Sequence, residues 1–447
     1  MTQILDYRNS DFRSIIIIAT ISLLATSCHK SDNDPEISLS EYELINGKQF
    51  VYHAIPDKYN AGCDESTSFN HITENGLAGE LFINVGNDEK KGKTYTITSY
   101  SSNLDDLPKE VTVRDFDFSD ADMSVVRPER YANNIKINFV NCKFKSFMNG
   151  KPYNDNKLSF TFDYCTFTGG VKEINISLNH CKIGGFIGDA MNPLKDFTCI
   201  NTFVCDLLPD ANVTGTHIDG AQTYGREGVE GGNIKFDNVR FEFPSFHYDG
   251  YKDECNACIM FQLEFGNVNN CSYTNLYCNG GGKWYPLYLT TGKGGTSFSQ
   301  KNLVMKSVKV SDNFGAIFYP TTYDQNAKVE NVDHFSELYI SSVFAQNNKL
   351  HIICSNDSHL DKTLIIKTES KEYTFEIPHC PSNFALNGEI DGKTNPNESL
   401  NDKNGKPYTK YRYKDMPFDI DCQIDIVSGN LICFDGEAKI LDINIAK

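Results

Sequence analysis

Ile137-Asn-Phe-Val-Asn-Cys-Lys-Phe144 is echoed by Phe160-Thr-Phe-Asp-Tyr-Cys-Thr-Phe167 and again by Ile176-Ser-Leu-Asn-His-Cys-Lys-Ile183. In each copy apolar and polar residues alternate, so one set of side chains faces a core and the other faces away. Looser copies follow at Thr202–Leu207, Ile234–Phe241, Cys271–Cys278 and Lys306–Val310. Their spacing is irregular, which suits a stack of similar strands joined by loops of unequal length. A single copy cannot bury its own apolar face, but stacked copies form a continuous core. Stacking also places Cys142, Cys165 and Cys181 in one interior column.

A second repeat alternates with the first. Asp219-Gly-Ala-Gln-Thr-Tyr-Gly225, Met260-Phe-Gln-Leu-Glu-Phe-Gly266 and Pro286-Leu-Tyr-Leu-Thr-Thr-Gly292 are each a strand closed by glycine. They read as a neighbouring side of consecutive turns of the same stack. The expectation is an all-β protein whose body is a right-handed parallel β-helix solenoid over residues 111–325. Residues 41–110 lack clear copies and are expected to cap its amino-terminal end, where strand edges would otherwise be open. Residues 326–447 change pattern. Lys349–Cys354, Thr363–Lys367, Glu372–Ile377, Gln423–Val427 and Leu431–Phe434 are short strands, pointing to a small sandwich-like β-rich domain. Asn387–Lys406, rich in Asn, Gly, Asp and Lys, reads as a long loop.

Gly215-Thr-His-Ile-Asp-Gly-Ala-Gln-Thr-Tyr-Gly225 followed by Gly231-Gly-Asn-Ile-Lys-Phe-Asp-Asn-Val-Arg-Phe241 resembles the pectin-lyase-like superfamily of right-handed parallel β-helix proteins, over roughly Val111 to Pro320. That resemblance implies an architecture. Its functional range includes polysaccharide lyases, glycoside hydrolases, epimerases and adhesive binders.

The amino terminus sets the compartment. Arg8 and Arg13 precede an apolar run from Ile15 to Leu24, and Ala25-Thr26-Ser27-Cys28 follows. A run of about ten residues is too short for a bilayer core that needs roughly 20. It reads as a signal peptide over residues 1–27 ending in a lipobox, with Cys28 as the lipidated residue. The acidic stretch over residues 28–40 reads as a flexible tether and resembles the export signals of Bacteroidetes-type surface lipoproteins. The expected location is the outer membrane, lipid-anchored and facing the cell surface.

A formal net charge of -17 excludes a basic nucleic-acid-binding surface. A polysaccharide is the expected partner, engaged by a monomer. The chain has 15 cysteines, and an oxidising compartment permits disulfides without spacing alone assigning them. Those inside apolar strands read as small buried hydrophobes. Cys255-x-x-Cys258 has no companion at zinc spacing.

Chemistry-bearing residues gather on the glycine-closed strands. His217 and Asp219 lie two apart and project from the same face of an extended strand, presenting a titratable pair. Gln222 is suited to orient a sugar hydroxyl, Tyr224 to stack, and Arg226 to meet a carboxylate. The alternative is structural, with Asp-Gly as a turn pair and His217 as a hydrogen-bonded histidine of the stack. Glu264 on the next strand is a candidate second carboxylate for a hydrolase. Lys283, Trp284 and Tyr285 follow a glycine-rich approach, offering a charge and an aromatic wall, or a plug beneath a loop. A lyase would set Lys283 or Arg226 beside a bound Ca²⁺ served by Asp237, Glu242 or Asp249, although no compact Ca²⁺ loop is visible and solvated surface acids are the better explanation of each. Two functions stand open at this point: an enzyme, lyase or hydrolase, acting on an extended glycan, and a glycan-binding or adhesive lipoprotein without chemistry.

Overall fold

The computed structural model describes residues 43–90, 92–98, 109–131, 133–207, 218–243, 246–248, 255–280, 286–291, 300–311, 317–318, 327–358, 360–378, 396–401, 407–412 and 419–445. The chain is all-β. Among these residues the one helical piece is a 3-10 turn at Pro128–Arg130. Cys28 and the anchor segment lie outside the described residues, as do His217, Asp249, Lys283, Trp284 and Tyr285.

The quoted copies stack in parallel. Ile137 pairs with Phe160, Phe160 with Ile176, Ile176 with Phe197, Phe197 with Ile234, Ile234 with Cys271 and Cys271 with Leu303. Each pairing keeps apolar residues on the same side, because a slip of one residue would turn every one of them outward. The interior column Val113, Phe139, Phe162, Leu178, Cys199, Phe236, Tyr273 and Met305 is buried throughout. Phenylalanines dominate its first half: Phe139 stacks on Phe162 at 5.3 Å between ring centres, and Phe144 on Phe167 at 5.0 Å. Cys142, Cys165 and Cys181 are fully buried, with Cys165 touching both of the others. The column expected for them is present.

A repeated backbone bend follows the paired strands. Asp115, Asn141, Tyr164, His180, Asn201, Asn238, Asn275, Ser307 and Asn331 occupy equivalent positions, and all have positive φ. Asn and Asp tolerate this left-handed conformation best after glycine because their short polar side chains bond locally. Here they also bond between copies: Asn201 Nδ2 donates to Asn179 Oδ1 at 3.2 Å, and Asn238 Nδ2 donates to Asn201 Oδ1 at 2.9 Å. A second amide column runs from Asn302 through Asn270 and Asn233 to Asp196.

The glycine-closed strands form their own parallel ladder. Ile218–Thr223 pairs with Cys255–Leu263, which pairs with Leu287–Thr291. The parallel system reaches past the expected limit at 325, since Lys328–Phe335 still pairs in parallel with Leu303–Ser311. At its other end, Gly92–Thr98 pairs in parallel with Phe116–Val126, then Leu81–Asp88 and Gly76–Ala78 continue antiparallel.

Two antiparallel sheets share a separate core of Leu338, Ile352, Leu364, Cys422, Leu431 and neighbours. One contains Leu338–Gln346, Lys349–Asn356 and Asp419–Asp425; the other contains Lys362–Lys367, Glu372–Ile377, Gly429–Asp435 and Ala438–Ile445. The first sheet is completed by Glu43–Ile45 and Lys48–His53, with Phe50 paired to Phe344. These strands, expected within the amino-terminal cap, therefore belong to the carboxy-terminal sheet. Within the stretch expected to be a loop, Pro396–Asn401 is a strand paired with Pro407–Arg412.

Candidate functional site

The Ile218–Thr223 strand is buried along its whole length. Asp219 is 0% exposed, and its backbone N–H donates to Asp189 Oδ1 at 3.0 Å. The Asp-Gly pair, considered above as a turn, lies inside the strand. A Cβ at Gly220 would stand 2.5 Å from both the Cys258 carbonyl oxygen and the Phe241 ring. Close packing explains that glycine.

Beyond this strand, Gln222, Tyr224 and Arg226 come together in one cleft of about 220 Å³, with Lys172, Glu173, Asp189 and Asn192 lining the rest. Stacking of successive strands assembles the set. Lys172 pairs with Asn192, and Met191 with Ala221, bringing residues far apart in sequence onto adjacent copies. The Tyr224 hydroxyl donates to Gln222 Oε1, and Gln222 Nε2 contacts Met260 Sδ at 3.1 Å. Glu264, half-buried on the next copy, accepts from Gln262 Nε2.

Tyr224 is the electrostatic centre. Burial first, and then the negative charges of Asp189, Asp219 and Glu264, push its phenol well above its ordinary value, with Arg226 opposing. Its proton is therefore retained across the neutral range. The charges of Asp219 and Glu264 both act on this hydroxyl, although neither residue lines the cleft and Asp219 is fully buried.

Arg226 is held from the opposite side. Its Nε donates to Glu173 Oε2 at 3.2 Å, and its Nη2 donates to Glu173 Oε1. It also lies over the Tyr153 ring at 5.9 Å. Glu173 has φ +90, a backbone conformation that is strained for a residue with a Cβ, at a register shift in its strand. Such strain persists only where its surroundings enforce it. Comparison of the chain with protein-family models, with curated proteins and with solved structures returned no match. The site is therefore read from its own geometry.

Arg226 also borders a second, larger cleft of about 420 Å³, lined by Glu227 to Glu230, Phe265, Gly266, Asn267, Asn269 and Lys301. Phe265 is 53% exposed and meets the Tyr224 ring edge-on at 6.2 Å. The closing glycines fit together here, since a Cβ built on Gly225 would collide with the Gly266 carbonyl. Among the described residues, no group of three or more His, Cys, Asp or Glu is arranged to hold a metal ion. Of the acids considered for Ca²⁺, Asp237 accepts from Asn275 Nδ2 at 2.8 Å and Glu242 pairs with Arg240.

Glu173, Asp189, Lys172 and Phe265 were not singled out from sequence. Only Phe265 carries a local signal, an aromatic next to a closing glycine in the same repeat as Tyr224. The other three sit on earlier copies, and only the stacking register brings them to Tyr224.

Proposed function

We propose that this protein is a lipid-anchored cell-surface protein that engages an extended polysaccharide and cleaves it. In this reading Cys28 bears the lipid, residues 28–40 are the tether, and the parallel ladders are coils of a right-handed parallel β-helix resembling the pectin-lyase-like superfamily. The recurring positive-φ column supports the helical reading, because a bend repeated at one register position turns every copy the same way. The observation that carries the functional reading is the cleft around Tyr224. A hydrogen-bonding phenol, an amide, nearby carboxylates and an exposed aromatic ring supply hydroxyl recognition, an acid-base group in Glu264 and ring stacking in one place.

Hydrolysis suits this set better than elimination. A hydrolase uses carboxylates in pairs, and Glu264 is the accessible candidate beside Tyr224. Elimination beside a uronate needs a cation for the sugar carboxylate; Arg226 is already bound by Glu173, and Lys172 and Lys301 stand among the acids that line the clefts. A second reading, a binder without chemistry, is favoured by the full burial of Asp219, which keeps its carboxylate from direct contact with a substrate.

The test is incubation of the full-length protein, purified in mild detergent, with galactomannan, arabinan, xyloglucan, polygalacturonate and alginate. New reducing ends without ultraviolet absorbance signify hydrolysis; absorbance of an unsaturated product signifies elimination. Tyr224→Phe and Glu264→Gln are expected to remove cleavage while the thermal unfolding profile is retained. Binding without cleavage selects the second reading. Neither binding nor cleavage across the panel overturns both.

A further inference from the structure

Resting on the glycan reading above, we infer that the occupant of these clefts is an uncharged glycan, and that Glu173 is the residue that sets this preference by sequestering Arg226. The charge count around the two clefts leads there. Lys172, Arg226 and Lys301 are the cations lining them, against Glu173, Asp189, Glu227 and Glu230. Asp219 and Glu264 add their charges at Tyr224. Four carboxylates thus line the clefts against three cations, on a chain whose net charge is already -17. A polyanion approaching this face meets repulsion before it meets any contact.

Arg226 is the group that could reverse this balance, because a guanidinium presents a planar fork of donors matched to a carboxylate. One edge of that fork is occupied. Glu173 takes the Nε and Nη2 edge as a bidentate partner. The acid keeps only 8% of its side-chain surface exposed while Arg226 keeps 48%, so the pair presents the flank of the guanidinium without its best donor edge. The pair also stiffens the partition between the clefts, with Tyr153 backing it. What the clefts offer a ligand is acceptor oxygens, the amides of Asn192, Gln222, Asn267 and Asn269, the Phe265 face, and the two ammonium groups of Lys172 and Lys301 set among the acids. Sugar hydroxyls and C–H faces match most of that inventory; uronate or sulfate groups would meet Lys172 and Lys301 only among a larger number of carboxylates.

The experiment measures the affinity of the full-length protein in detergent for neutral galactomannan and arabinan and for polygalacturonate, at low and at high salt. The wild type is expected to prefer a neutral polymer, and high salt should narrow the gap by screening the repulsion. Glu173→Gln keeps the shape, removes one negative charge and releases Arg226. The ratio of polygalacturonate to neutral affinity should then rise roughly tenfold or more, the value of one or two charge-assisted hydrogen bonds. The double variant Glu173→Gln, Arg226→Gln should lose that gain. If the wild type binds polygalacturonate at least as well as the neutral polymers, the inference is overturned without any variant. A folded Glu173→Gln protein with an unchanged ratio also overturns the role of Glu173. Failure of wild type and variants to bind any of the polymers instead removes the glycan reading on which the inference rests.

Discussion

Arg240 Nη1 stands 2.8 Å from Asp419 Oδ1, with both side chains closed off from solvent. One partner belongs to the parallel ladder, paired with Tyr277, and the other to the carboxy-terminal antiparallel sheet, paired with Ser355. The guanidinium also reaches Glu242 at 2.9 Å and Ser355 at 3.2 Å, and it lies between the rings of Phe203 and Tyr339 at 5.4 and 5.6 Å. A buried ion pair of this kind adds little over an apolar substitute, but losing one member leaves a stranded charge. Arg240→Met should therefore cost about 3–5 kcal/mol in urea unfolding. Arg240→Lys should recover little of it, because an ammonium can neither fork nor stack in the same way. A loss under about 1 kcal/mol for Arg240→Met would show that water or a rearranged partner compensates Asp419.

The same junction predicts a pH dependence. Burial, and after it the charges of Asp419 and Asp206, outweighs Arg240 and lifts the Glu242 carboxyl from 4.5 to about 8. Asp57, bonded to the hydroxyls of Ser341 and Ser342 at 2.7 and 2.6 Å, is also raised, chiefly by burial and then by Asp419. The folded protein thus holds a proton on Glu242 that the unfolded chain releases near 4.5. Its contribution to stability is complete below that pH and is lost as pH rises through about 8. Urea midpoints measured from pH 5 to 9 should fall, and Glu242→Gln should flatten part of that slope. An equal slope in wild type and variant would remove Glu242 as its source.

The described cysteines, apart from Cys255, whose side chain is not described, are all buried, twelve in all. Burial pushes the Cys63 thiol up to about 11 and the Cys433 thiol to about 12. Reactivity belongs to the thiolate, so these positions should resist alkylation in the native protein and label together on unfolding. Peptide mapping after brief iodoacetamide treatment tests this. Rapid native labelling at Cys142, Cys165 or Cys181 would contradict the packed column.

The repeated strands were legible because an alternating apolar pattern must meet a core on one face, and Phe139, Phe162 and Leu178 carry that pattern within eight residues each. The place of Lys48–His53 was not legible. Its partner strand, Leu338–Gln346, is almost three hundred residues away, and nothing local in Phe50 points to Phe344. The site divides in the same manner. Gln222, Tyr224 and Arg226 share one short motif and also share one cleft. Glu173 and Asp189 join them through the stacking of earlier copies, and Asp219 is fully buried on a strand paired on both sides.

Two phenylalanines separate fold from function. Phe162 is fully buried among Phe139, Phe147 and Phe167, at 5.3, 4.8 and 5.2 Å between ring centres. Phe162→Ala leaves a cavity that rigid neighbouring copies cannot close, and it should cost about 3–5 kcal/mol. Phe265, half exposed at the edge of the larger cleft, has little to lose on truncation, so Phe265→Ala should stay within about 0.5 kcal/mol of wild type. Its glycan affinity should nevertheless fall several-fold, since the lost ring is the stacking surface beside Tyr224. Urea unfolding and polysaccharide binding, measured on both variants, give opposite orders of damage if the two rings have these roles. Unchanged binding in Phe265→Ala would move the carbohydrate face away from Tyr224, while a large stability loss there would make Phe265 part of the packing instead.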